Sequence, residues 1–115
     1  MLPAQHRLTA ADDFRRTIRS GAKTVTPTVI IHCANGESAG PARFGITVSK
    51  AVGGSVIRHR VARQIRHAIA EVLNSDSGSI PAGSRWVFRA LPQAAGGGVA
   101  TDVRIAMART AEKMK

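Results

Sequence analysis

Four arginines stand at 58, 60, 63 and 66, with His59 and His67 beside them. A guanidinium is planar, carries its N–H donors in a fixed fork and stays charged at any physiological pH. Its matching ligands are carboxylates and phosphates. Glu71 is the one acid among the residues from Ser55 to Leu73. A purely structural helix face would intersperse Glu for i,i+4 pairing. Here the cations repel one another instead, which points to an anion-binding face and to polyphosphate as the anion; the alternative is a solvated basic face.

The element that must position these groups is a helix. Ile57, Val61, Ile65, Ala68, Ile69 and Val72 recur at spacings of three and four, the period of one buried stripe. At roughly 100° per residue, His59, Arg60, Arg63, Arg66 and His67 point away from that stripe. Arg58 falls at its edge, beside Ile65 and Ile69. Gly53 and Gly54 precede the helix, with Ser55 as the expected N-cap. A strand, a glycine turn and a helix N-terminus can bind a phosphate through backbone N–H groups. The spacing is not that of a Walker loop.

Composition agrees with a nucleic-acid partner. The 115 residues hold 17 Lys and Arg against 7 Asp and Glu, a formal charge of +10, the electrostatic footprint of an RNA or DNA binder. An anionic membrane surface is the weaker alternative. The length fits a single domain over residues 1–115, and 43% hydrophobic residues suffice for one core. No apolar run approaches the roughly 18 residues that span a bilayer, and residues 1–7 carry no secretory h-region. Cys33 is the single cysteine, so no intrachain disulfide forms and a cytoplasmic home is expected.

A catalyst is hard to build from this inventory. Asp12 and Asp13 are the only adjacent carboxylates, and helix capping explains them better than acid–base work. His6, His32, His59 and His67 lack ligand spacing, one Cys cannot complete a zinc site, and no nucleophile elbow appears. Aromatics are limited to Phe14, Phe44, Phe88 and Trp86. Base readout by extensive stacking is therefore not expected.

Taken in order, Thr9 to Asp12 matches a capping box and opens a helix at about 10–20. Phe14 and Ile18 lie on its apolar face, and Gly21 sits where a C′ glycine would end it. Thr24–Cys33 reads as one strand, with Pro27 marking an edge or bulge. The stretch from Asn35 to Pro41 reads as a hairpin loop leading into a second strand, Arg43–Ser49. In that strand Phe44, Ile46 and Val48 face one way, and Arg43, Gly45, Thr47 and Ser49 the other. After the basic helix come a third strand, Arg85–Ala90, a glycine-rich segment expected to be mobile, and a last helix over 102–114 capped by Thr101 or Asp102. The order is α-β-β-α-β-α, an α+β fold with helices packed on a small sheet as a sandwich.

The run Arg43-Phe44-Gly45-Ile46-Thr47-Val48-Ser49-Lys50, then Gly53, then Arg58-His59-Arg60 with Arg63 and Arg66, resembles the protein component of bacterial ribonuclease P. That family carries an Arg-Asn-Arg signature helix after a Val-Ser-Lys strand end. Arg7-Leu8, Asp13-Phe14 and Gly21 fit its first helix, and 85–92 its last strand.

The resemblance implies a protein subunit that is not itself the catalyst. Its partners would be a catalytic RNA and the 5′ leader of precursor tRNA, which the RNA removes by magnesium-dependent hydrolysis. The magnesium would be bound mainly by the RNA, although the family also tends to bind metal ions near the signature helix. No membrane and no protein partner is implied. The implied fold is α-β-β-β-α-β-α-like, with a left-handed β-α-β crossover around the basic helix, an exception to the usual handedness.

Carried over by position, Lys50, Arg58, His59, Arg60, Arg63 and Arg66 would contact RNA phosphates. Phe14, Ile18, Ile30, His32, Phe44, Ile46 and Val48 would line the leader cleft. Three positions depart from the family pattern: His59 stands at the Asn of the signature, and Ile18 and His32 replace aromatics. A basic ribosomal or other structural RNA-binding protein, and a nuclease acting without RNA, are the competing readings.

Overall fold

The computed structural model describes residues 8, 11–35, 40–75 and 80–114. The elements are α1 (Ala11–Ser20), β1 (Ala22–Val25), β2 (Val29–Ala34), β3 (Arg43–Thr47), α2 (Ser55–Ser75), β4 (Arg85–Ala90), a 3-10 turn (Pro92–Gly96) and α3 (Val99–Lys113). The order is thus α-β-β-β-α-β-α, the order that the family resemblance implies and one strand more than composition and periodicity alone indicate. The expected strand over Thr24–Cys33 is two. Pro27 lies in the turn that divides it, where its missing N–H breaks no ladder bond. Thr26 closes that turn: its hydroxyl donates to the Val29 carbonyl at 2.7 Å and accepts from the Val29 N–H at 3.1 Å.

The four strands form one mixed sheet in the order β1-β2-β4-β3. β1 pairs antiparallel with β2, and β2 antiparallel with β4. The expected hairpin between β2 and β3 does not form, because β4 lies between them. β3 instead pairs parallel with β4, and α2 makes the crossover that parallel neighbours require. Residues 36–39 of the intervening loop fall outside the described part.

One sheet face is covered by α2 and α3. Ile31, Cys33, Phe44, Trp86 and Phe88 meet Val61, Ile65, Ile69, Val103 and Met107 in a single core. Phe44, Trp86 and Phe88 cluster with ring centroids 6.1 to 6.3 Å apart, and Trp86 donates its indole N–H to Ser84 Oγ. Burial pushes the Cys33 thiol up to about 12, against a smaller opposing effect of Arg85, so it is a core side chain and not a nucleophile.

The helix ends differ from expectation. The first bond of α2 runs from Arg58 N–H to the Gly54 carbonyl, which makes Gly54, not Ser55, the capping position. α3 begins three residues earlier than expected, at Val99, after Gly98 in the left-handed region at φ 85°. Asp102 therefore sits inside the first turn, where it accepts a 2.6 Å hydrogen bond from Thr28 and favours the positive end of the helix dipole. Gly21 follows α1 but is not left-handed. A β-carbon there would stand 2.3 Å from the Cys33 carbonyl oxygen, so close approach is what requires glycine. The expected capping box at Thr9 lies outside the described residues; Asp12, its acid, pairs on the surface with Arg15.

Candidate nucleic-acid interface

The other sheet face belongs to α1. Strand pairing lays the rows Lys23–His32–Val87–Gly45 and Val25–Ile30–Arg89–Thr47 across it. Phe14 rests on Gly45, and Arg85 Nε donates to Thr17 Oγ1 at 3.2 Å, which anchors α1 over one end of the sheet. The second row is more open: Val25 is 57% exposed, and Thr47 and Arg89 are exposed. Ile18, on α1, is 42% exposed.

His32 sits on this face with 6% of its surface exposed and no partner for Nδ1. Its pKa is lowered, first by burial and then by the nearby charges of Lys23 and Arg89. The neutral imidazole is thus the resting form near neutral pH. This face, where the leader cleft is expected, carries the apolar Ile18, Val25 and Ile30, the buried His32 and two cations, Lys23 and Arg89.

The structure brings Phe14, Ile18, Ile30 and His32 to this face. It does not bring Phe44, Ile46 and Val48 there. Successive side chains of a strand point to opposite faces, and Gly45 is the residue beneath Phe14. Phe44 is therefore in the α2 core at 2% exposure, and Ile46 and Val48 pack beside it. Lys23 and Arg89 are cations beside His32 that sequence reasoning missed. Only the strand register places them beside His32.

The second surface is α2. His59, Arg60, Arg63, Arg66 and His67 are all exposed, Arg58 is half-buried at the stripe edge, and Lys50 is exposed after β3. Arg60 donates to the Ala95 carbonyl at 2.8 Å, which fixes the guanidinium against the 3-10 turn. Glu71 is engaged by Arg104 at 3.0 Å, so the acid of α2 neutralises a residue of α3 and not the arginine row. Shallow recesses of about 450 and 380 Å³ lie along this row, both bordered by Arg63 and His67. No helix among the described residues is long and apolar enough to cross a membrane.

The cationic helix α2 and the face under α1 thus lie on opposite sides of one sheet. Residues 2–112 match the ribonuclease P family model. The chain belongs to the ribonuclease P protein family.

Its relatives include the ribonuclease P protein component of Corynebacterium diphtheriae, 46% identical over 83% of this chain and 82% of that protein. The Streptomyces bikiniensis protein of the same name is 41% identical over 82% of this chain and 80% of its own length. Among solved structures, a Staphylococcus aureus RNase P protein mutant with defective mRNA degradation activity superposes with TM-score 0.75 at 22% identity, covering 95% of this chain and 87% of that one. The RNase P protein from Thermotoga maritima superposes with TM-score 0.69 at 19% identity, covering 95% of this chain and 97% of its own. Those structural likenesses carry the fold. In this member of the ribonuclease P family the signature helix is α2, and the β-α-β unit around it is β3-α2-β4.

Proposed function

We propose that this chain is the protein subunit of ribonuclease P, which binds the catalytic RNA through α2 and the 5′ leader of precursor tRNA through the cleft under α1. The observation that carries the reading is the arginine row of α2, with Arg60, Arg63 and Arg66 exposed and the one acid of that helix, Glu71, paired with Arg104, on a chain of formal charge +10. Each phosphate it neutralises releases condensed counterions, which supplies affinity without sequence readout. The cleft, on the opposite face, leaves the leader free to bind at the same time.

The reaction is hydrolysis of the phosphodiester bond that joins the leader to the mature tRNA 5′ end. The catalytic centre in this reading is in the RNA, and the site of action is the cytoplasm. No three His, Cys, Asp or Glu side chains converge into a metal-ligand set among the described residues. The magnesium of the reaction would be bound mainly by the RNA subunit. The protein's part is to hold both RNAs in register and to lower their mutual repulsion.

Reconstitution tests this reading. Added to the cognate ribonuclease P RNA at low magnesium, the chain should stimulate cleavage of precursor tRNA at the mature 5′ end. Binding without stimulation would leave a structural RNA-binding protein, and cleavage by the protein alone would leave a nuclease in its own right.

A further inference from the structure

Three buried side-chain polar atoms lack a hydrogen-bond partner among the described residues: His32 Nδ1, Arg58 Nε and Gln64 Oε1. Arg58 differs from the other two because its group is a charged donor. A guanidinium nitrogen withdrawn from water without an acceptor is costly, and the acceptor geometry it fits is that of an oxyanion.

Arg58 lines a recess of about 250 Å³ between the end of β3 and the first turns of α2. Ile46, Val48 and Ala62 form its apolar side, and His59 and Arg66 its cationic rim. Ile46 and Val48 are only partly buried there, although they pack against the core. Apolar surface directly beside guanidinium matches one chemical class well: a phosphate with its own ribose and base attached. A base-paired helix cannot use such a recess, since it offers phosphates outward and keeps its bases stacked inside.

We infer that this recess takes one unpaired nucleotide of the catalytic RNA, with its phosphate on Arg58 and Arg66 and its base or ribose against Ile46, Val48 and Ala62. The assignment to the catalytic RNA follows from the sheet. Ile46 and Gly45 point to opposite faces, so the recess and the leader cleft are separated by the sheet itself. The inference rests on the proposed function above. It adds a discrete grip to a helix whose other contacts are made by exposed charge.

The test fills the recess without touching its charge. Ala62→Leu keeps a strong helix former on α2 and adds bulk over Ile46 and Val48. Arg58→Lys, the second variant, keeps the charge and loses the fork. Thermal unfolding of each checks that the fold is retained. With cognate ribonuclease P RNA alone, each variant should bind about tenfold more weakly than wild type, with the salt dependence of Ala62→Leu unchanged. Chemical probing of the RNA at nucleotide resolution should show one unpaired nucleotide that wild type protects and Ala62→Leu re-exposes.

Wild-type affinity and an unaltered footprint for a folded Ala62→Leu would overturn the proposal. So would normal binding of the catalytic RNA with a selective loss of leader-bearing precursor tRNA, which would place the leader in the recess. Failure of the wild-type chain to bind or stimulate the RNA would instead remove the functional reading on which the proposal rests.

Discussion

Phe14 lies with its ring against the bare α-carbon of Gly45: a β-carbon on Gly45 would stand 2.2 Å from the ring's Cζ atom. Helix α1 is seated on the sheet through this contact and through Thr17 on Arg85. Gly45→Ala should force Phe14 and α1 away from β3. The expected loss is about 1–3 kcal/mol of stability, the usual cost of overpacking, with weaker binding of leader-bearing precursor tRNA. Denaturant unfolding and tRNA affinity measure the two. Gly45→Ala combined with Phe14→Ala should recover much of the stability without recovering leader affinity. A fully wild-type Gly45→Ala would show that α1 is not held by this contact.

The arginine row should make RNA affinity strongly salt-dependent. Arg63→Ala and Arg66→Ala should each lower the slope of log K against log salt by up to about one unit, one phosphate contact apiece. Arg60→Ala should do the same and also remove the hydrogen bond that Arg60 donates to the Ala95 carbonyl of the 3-10 turn. Slopes unchanged in all three variants would show that α2 does not face the phosphate backbone.

His32 gives the protein a pH dependence whose sign follows from burial and from Lys23 and Arg89, which lower its pKa. Between that lowered value and the ordinary value near 6.5, the folded chain binds fewer protons than the unfolded chain. The stability linked to His32 is complete above about 6.5 and is lost as pH falls through the lowered value. A leader phosphate in the cleft acts the other way and favours imidazolium. Leader-dependent affinity should therefore strengthen as pH falls and level off below the free-state value. His32→Tyr keeps a ring and removes the titration, so its affinity profile from pH 5.5 to 8 should be flatter at fixed salt. Identical slopes for wild type and His32→Tyr would assign the proton to another group.

The α2 surface was legible because helical periodicity is local. The stripe from Val61 to Ile69 is buried and the arginines are exposed, as spacing alone requires. Even Arg58, at the edge of the stripe, is half-buried. The cleft was only half legible. Alternation shows that Phe44, Ile46 and Val48 share a face, but not which helix covers it, since α1 and α2 lie on opposite sides of the same strand. Gly45 was the available sign: a residue without a side chain, in a strand, marks where another element comes close. Lys23 and Arg89 were hidden because their meeting with His32 depends on pairing between residues far apart in the chain. The β1–β2 turn was hidden for a different reason: an unbroken Thr- and Val-rich run has strand composition throughout, and only Pro27 interrupted it.

The position of β4 in the middle of the sheet also sets a timetable for synthesis. β2 and β3 precede it in the chain and never bond to each other, so both keep an open edge until residues 85–90 leave the ribosome. Chains that end before Arg85 should accordingly show no cooperative unfolding transition, and a sharp transition in such a truncation would contradict this order of events. Because β4 pairs with β2 on one side and β3 on the other, its arrival joins the strand that carries His32 to the strand that seats α1 and leads into α2. A nascent chain therefore acquires the face that seats α1 and the mounting of the basic helix in one late step.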